Sequence, residues 1–265
     1  MLISLKKSIL MNKDFIVGSV SRDIKSKWKS TQLGPVWLIL QPLSLILVYT
    51  IIFSKLMRPG FPNQTSIYTY SIYLCSGLLP WVFFSELFSR NITLFIDYSH
   101  ILKKVAISKI TLPIILLFSC LINFIISLVI FLIFLLITNN FPGFVVLGII
   151  PIILLQIFFT ISLSFGLGVL NVFFRDIQQS MSIFLQFWFW LTPIIYLPEN
   201  LPKAFLTFLS FNPLAPIFGA YQKIFVERAL PDLTTLIMPL SVSAVLFCVS
   251  IFIFKKLKTD MLDEI

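Results

Sequence analysis

The chain has 265 residues, 58% of them hydrophobic and 12% charged, with a formal net charge of +9. Its mean hydropathy is +1.00. A soluble domain is about half apolar and a quarter charged, so an ordinary water-soluble fold is excluded and most of this chain meets lipid. Closed barrels need short alternating strands; no such pattern occurs, which leaves an all-α integral membrane protein.

Residues 1–33 are too polar to cross a bilayer. Ile16, Val20, Ile24 and Trp28 recur every four residues, with Arg22, Lys25 and Lys29 on the other side. The segment reads as a cytoplasmic amphipathic helix in the plane of the inner leaflet. It is either a plain anchor or a collar at the mouth of a transport path. Residues 34–265 then hold six apolar runs of about the 20 residues that a spanning helix requires: Val36–Ser54, Ile67–Ser85, Ile110–Ile137, Phe144–Phe174, Ser180–Leu197 and Leu233–Phe254.

The first run opens LGPVW, with Pro35 suited to a first helical turn. Gly34, Trp37, Gln41 and Ser44 fall within about an 80° arc, and Tyr49 lies some 80° from Gln41. Polar groups at this depth face protein or a cavity; helix–helix glue uses the same atoms. In the second run Pro80 is expected to kink the helix, and Glu86 lies near its inner boundary. The stretch from Arg90 to Lys109 is long for a connection between helices. It carries Ile92, Leu94, Phe95, Ile96, Ile101 and Leu102, so a short amphipathic helix docking on a partner is predicted there.

Runs three and four exceed a bilayer's needs and should tilt, or break near Pro113 and Pro151. Arg175 and Asp176 form the turn before run five, where they can cap it, pair together, contact a cytoplasmic partner or stay solvated. In run five, Gln179, Ser182, Gln186, Phe189, Trp190 and Pro193 share about a 100° helical face, while Phe184 and Trp188 lie opposite. Prolines 198, 202, 213 and 216 then break an apolar stretch that fits short re-entrant or interfacial helices. Run six follows, and the chain ends in the basic, then acidic, FKKLKTDMLDEI.

Lys and Arg in the loops set orientation. A cytoplasmic N-terminus puts 15 of the 20 basic residues inside, and leaves Lys55, Arg58, Lys203, Lys223 and Arg228 outside. Both termini are therefore expected in the cytoplasm. The positive charge is topology signal and anionic-lipid contact, not a nucleic-acid face. Cys75, Cys120 and Cys248 lie in separate runs, with neither metal-ligand nor disulfide spacing, and read as small core residues. No metal site is expected.

No phosphate-binding G-x-x-x-x-G-K-[ST] loop, G-x-S-x-G nucleophile or H-E-x-x-H zinc motif occurs. Asp97 and Asp176 are isolated, whereas glycosyl transfer generally wants two convergent carboxylates. Ion-driven transporters place ionisable groups at mid-membrane depth, and almost none are present. These absences suggest a permease powered by a separate subunit.

The stretches TQLGPVW…QPL, SGLLPWVFF, ILKKVAISKITLPI, LNVFFRDI, FWFWLTPIIY and NPLAP occur in that order. Together they resemble the membrane subunit of the ABC-2 type polysaccharide exporters, over nearly the whole chain. The resemblance implies two permease copies forming a channel in the bacterial inner membrane. Two copies of an ATP-binding cassette subunit, which bind ATP and Mg, would sit beneath; this chain itself would hold no cofactor. It also implies a coupling helix within Asn91–Ser108, an outer gate within Leu197–Tyr221, and a polyprenyl-diphosphate-linked glycan of O-antigen, capsule or teichoic acid class as cargo. On that reading Trp37, Gln41, Tyr49, Gln186, Phe189 and Trp190 line the substrate path. Aromatic rings stack on sugar C–H faces, and weak repeated sites let a polymer slide. Arg22, Lys25 and Lys29 either guide the diphosphate or only anchor to anionic lipid. Tyr98, His100, Lys103 and Lys104 would meet the ATPase; taken alone, His100 reads as an ordinary surface residue. A permease for a small lipid or drug would share the fold but want a narrower, more apolar interior. A membrane glycosyltransferase would need paired acids.

Overall fold

A computed structural model describes residues 13–28, 31–52, 68–104, 109, 111–198 and 201–264. Among the described residues there are helices and turns but no strand. Helix α1 covers Lys13–Trp28. A 3-10 turn, Gly34–Val36, leads into α2, Trp37–Ile51. Then come α3, Thr69–Asp97, α4, Ser99–Lys104, and α5, Thr111–Ile137. A 3-10 segment, Gly143–Gly148, precedes α6, Ile149–Phe173, and α7 is Asp176–Trp190. Helices α8, Lys203–Leu209, and α9, Leu214–Gln222, follow, with a π turn at Lys223–Glu227. Last are α10, Leu233–Leu257, and α11, Asp260–Glu264.

Among the described residues, five helices are long and apolar enough to cross a membrane: Gly34–Ile51, Thr69–Asp97, Thr111–Ile137, Gly143–Phe173 and Leu233–Leu257. A sixth candidate is the broken pair Lys203–Leu209 and Leu214–Glu227, bent by 103°. This pair is the proline-interrupted segment for which short broken helices are expected. Run five behaves differently from the sequence expectation. Its helix stops at Trp190 after 15 residues, roughly 22 Å at 1.5 Å per residue, and the chain continues to Pro198 in turns. Pro193 explains the stop: it has no N–H to donate, and its ring would crowd the carbonyl one turn earlier.

Helix α3 lies at the centre, packing on α2, α5, α6, α7 and α9. It also runs further than the hydrophobic run that predicts it. Asn91, Ile92, Leu94 and Phe95 belong to this helix and are buried. The first part of the apolar pattern that predicts a partner-docking helix is core instead: Phe95 packs edge-on against Phe165 of α6 at 5.9 Å. The helix is one element through Pro80. Pro113 and Pro151 sit in the first turns of α5 and α6, where a missing N–H costs little, so neither breaks its helix.

Small residues bring the backbones together, as lipid-embedded helices require. A Cβ on Gly168 would lie 2.5 Å from Asn91 O, and one on Gly166 would lie 2.5 Å from Ser250 Oγ. Ser250 Oγ donates to Ser162 O, binding α10 to α6. Cys75 and Cys120 are buried as expected, but Cys248 is exposed, because α10 turns most of its residues away from the bundle.

Candidate functional site

The residues expected to line a substrate path lie on two helices that share α3 as a neighbour. Helix α2 packs on α3 and α5, whereas α7 packs on α3 and α6. On α2, Trp37 and Gln41 are exposed and Tyr49 is half-buried. On α7 the packed face is Ile177, Met181, Leu185, Trp188 and Phe189, all buried or half-buried. Gln179, Ser182, Gln186 and Trp190 point away from the bundle, Trp190 with 62% of its surface free. Phe189 is at the border, its ring 5.2 Å from Trp81 and 5.5 Å from Trp190. Trp188, on the opposite face, packs edge-on against Phe84 at 5.6 Å and on Phe184 at 4.9 Å. The phasing holds for Trp188 and Trp190 but not for their neighbours: Phe189, expected beside the glutamines, is half-buried, whereas Phe187 and Phe184, expected in packing, are 66% and 44% exposed.

The end of α7 is held by bonds that hydropathy cannot reveal. Asn212 Oδ1 accepts from Trp188 Nε1 and from the Leu214 N–H, each at 3.0 Å. Its Nδ2 donates to Leu191 O and Thr192 Oγ1 at 3.1 Å. The non-helical carbonyls beyond are also taken: Gln222 Nε2 donates to Pro193 O at 2.9 Å, and the Tyr70 and Tyr73 hydroxyls reach Ile195 O and Tyr196 O at 2.6 and 2.8 Å. Irregular backbone at membrane depth persists only when protein satisfies it in this way. Beneath it, buried Gln156 donates to Pro80 O and accepts from the Tyr221 hydroxyl, both at 2.8 Å.

The coupling candidates follow α3 directly. Tyr98 ends that helix, half-buried, while His100 and Lys103 on α4 are exposed; the side chain of Lys104 and residues 105–108 lie outside the described residues. Burial raises the Tyr98 hydroxyl above its ordinary pKa, and the nearby Asp23 carboxylate adds to the effect. Lys109 donates to Lys258 O; burial, then the neighbouring Lys258, lowers its pKa.

Helix α1 buries Ile16 and Val20 and half-buries Ile24, and it packs on α5. Its apolar stripe therefore covers this protein's own bundle. Arg22 and Lys25 are exposed; Lys29 lies outside the described residues. A cluster that sequence reading misses joins α1 to α3: Lys27 pairs with Glu86, and Arg90 Nη2 is 2.7 Å from Asp23 Oδ1 and Nη1 3.6 Å from Glu86 Oε1. Asn123 Nδ2 of α5 donates to Glu86 at 3.3 Å. Asp23 and Lys27 four residues apart are the signal that was available.

Arg175 and Asp176 are both exposed at the start of α7. Neither caps the turn. Buried Asn171 does so, accepting from the Gln178 N–H at 3.0 Å and donating to Ile92 O at 3.1 Å. Among the described residues no group of three potential ligands is placed to hold a metal.

The family model of the ABC-2 type transporter matches residues 16–226. The chain belongs to that family. It is 29% identical to the O-antigen export system permease protein RfbA of Myxococcus xanthus over 266 residues, covering all of both chains. It is 28% identical to the protein of the same name from Klebsiella pneumoniae, over 92% of each. It is 22% identical to the polysialic acid transport protein KpsM of Escherichia coli, over 74% of this chain and 75% of that one. The match begins within α1 and ends within the π turn after α9, so it takes in most of α1 and the broken pair.

Proposed function

We propose that this chain is the permease subunit of a polysaccharide exporter, carrying a polyprenyl-diphosphate-linked glycan across the bacterial inner membrane. The observation that carries the reading is the full-length likeness to O-antigen export permeases, joined to an open, polar-aromatic face on α7. Gln179, Ser182 and Gln186 can exchange hydrogen bonds with hydroxyls while Phe187 and Trp190 stack on sugar faces. On α2, Trp37, Gln41 and Tyr49 offer the same chemistry. A second copy of the chain would close these two open faces into a channel.

Transport needs an energy source, and no nucleotide-binding loop is present in the sequence. ATP and Mg would be bound by a partner ATPase meeting Tyr98, His100, Lys103 and Lys104. Both termini would face the cytoplasm, as the basic-residue asymmetry favours. Arg22, Lys25 and Lys29 would meet the carrier's diphosphate or the anionic leaflet. Charge reversal at Arg22 and Lys25 that stops export at normal membrane abundance supports guidance; loss of insertion supports anchoring.

The test is export itself. Deleting this gene should remove the surface polysaccharide and leave carrier-linked glycan in the cytoplasmic leaflet. Normal surface glycan in the deletion strain would reject the function.

A further inference from the structure

The ionic cluster between α1 and α3 forms one end of a cavity of about 680 Å³, inside the ~300–1,000 Å³ range of small-molecule sites. Its polar end holds Lys27, Glu86, Arg90 and Asn123; its other walls are mainly apolar, with Leu45, Val82 and Phe124, but also include Gln41 and Ser127. Position along α3 separates the two ends. Leu79 lies eleven residues before Arg90, about 16 Å at 1.5 Å per residue. The cavity is therefore amphiphilic along its length.

The charge balance narrows the occupant. Lys27 and Arg90 face Glu86 and Asp23, and these side chains are only 11–26% exposed. Charges this withdrawn from water need opposite charges beside them. A head group that brings only negative charge, such as a diphosphate, would oppose the two carboxylates. A head group with one phosphate and one ammonium keeps every charge matched.

We propose that this cavity binds a zwitterionic, amine-bearing phospholipid. Its phosphate lies toward Lys27 and Arg90, its ammonium toward Glu86, and an acyl chain along Leu45, Val82 and Phe124. The lipid is a resident ligand and not the exported cargo. Its seat between α1 and the first three spans makes it a wedge between the amphipathic helix and the bundle.

The test uses the full-length permease in nanodiscs of equal phosphatidylethanolamine and phosphatidylglycerol, and separately in native membranes that contain the carrier-linked glycan. Lipids surviving detergent extraction are identified by native mass spectrometry. Phosphatidylethanolamine should be retained over phosphatidylglycerol by about tenfold. Ser127→Leu, which fills the cavity, should abolish that enrichment. Glu86→Gln leaves the cavity net positive and should reverse the preference toward phosphatidylglycerol, which keeps the test alive if the filled variant does not fold. Retention of phosphatidylglycerol or of the polyprenyl carrier by the wild type overturns the proposal. So does enrichment that survives Ser127→Leu or is unchanged in Glu86→Gln.

Discussion

Asn212 uses its whole side-chain capacity, two acceptor and two donor sites, to join the end of α7 to the start of α9. Asn212→Leu leaves the Trp188 indole N–H and other buried groups unpaired, at about 1–3 kcal/mol per group. A clear fall in melting temperature in detergent is expected, with a smaller fall for Asn212→Asp, which retains the acceptor. Equal melting of all three proteins would contradict the clasp. On the path, Trp37→Ala combined with Trp190→Ala should reduce export of long glycans while the protein still assembles and its partner's ATPase activity persists. Unchanged export in that double variant would remove the aromatic track. At this scale the sequence is informative about direction and silent about partners. A 100° step per residue is enough to put Trp188 on the packed face and Trp190 on the open one. It cannot reveal that Asn212, 24 residues from Trp188 in sequence, completes that packing, because such a bond depends on how the chain folds back.

Helices pack here where side chains are missing. A valine at 168 would drive its Cβ against Asn91 O, already 2.5 Å from the ideal Cβ position. Backbone cannot yield as a flexible side chain does, and overpacking costs roughly 1–3 kcal/mol. Gly168→Val should therefore lower the yield and melting temperature of the folded permease, as fluorescence-detected size exclusion can measure. Gly18→Ala, where an added Cβ meets nothing within 4 Å, should leave both unchanged. The coupling assignment also belongs to elements. Cysteines placed at 98–104 should crosslink to the ATPase, and a complete absence of adducts along α4 would reject that docking site. A charged residue marks the end of an element only where no neighbour in the fold satisfies it, and a proline can end one inside an apolar run. Helix α3 outruns its hydrophobic run because Glu86, Arg90 and Asn91 are satisfied by neighbours, so polar residues did not mark an end. Helix α7 stops early because Pro193 interrupts a run that remains apolar.

For the whole molecule, composition identifies the solvent, and five of the six apolar runs match the five long helices among the described residues, while the bent pair falls in the proline-broken segment after run five. What composition cannot foretell is centrality: α3 is less apolar than α5 or α6, yet it is the helix the others surround. Interior helices in lipid are chosen for their fit and polar contacts, since lipid already accepts apolar surface. The central claim is that the open face of α7 conducts a carrier-linked glycan. Its most direct test places a photo-crosslinking amino acid at Gln186 or Trp190 in cells that export the glycan. The account predicts adducts that carry the polysaccharide, disappear when glycan synthesis is blocked, and are missing when the same probe replaces Met181 on the packed face. Adducts at Met181 but none at Gln186 or Trp190, in cells that export normally, would contradict it.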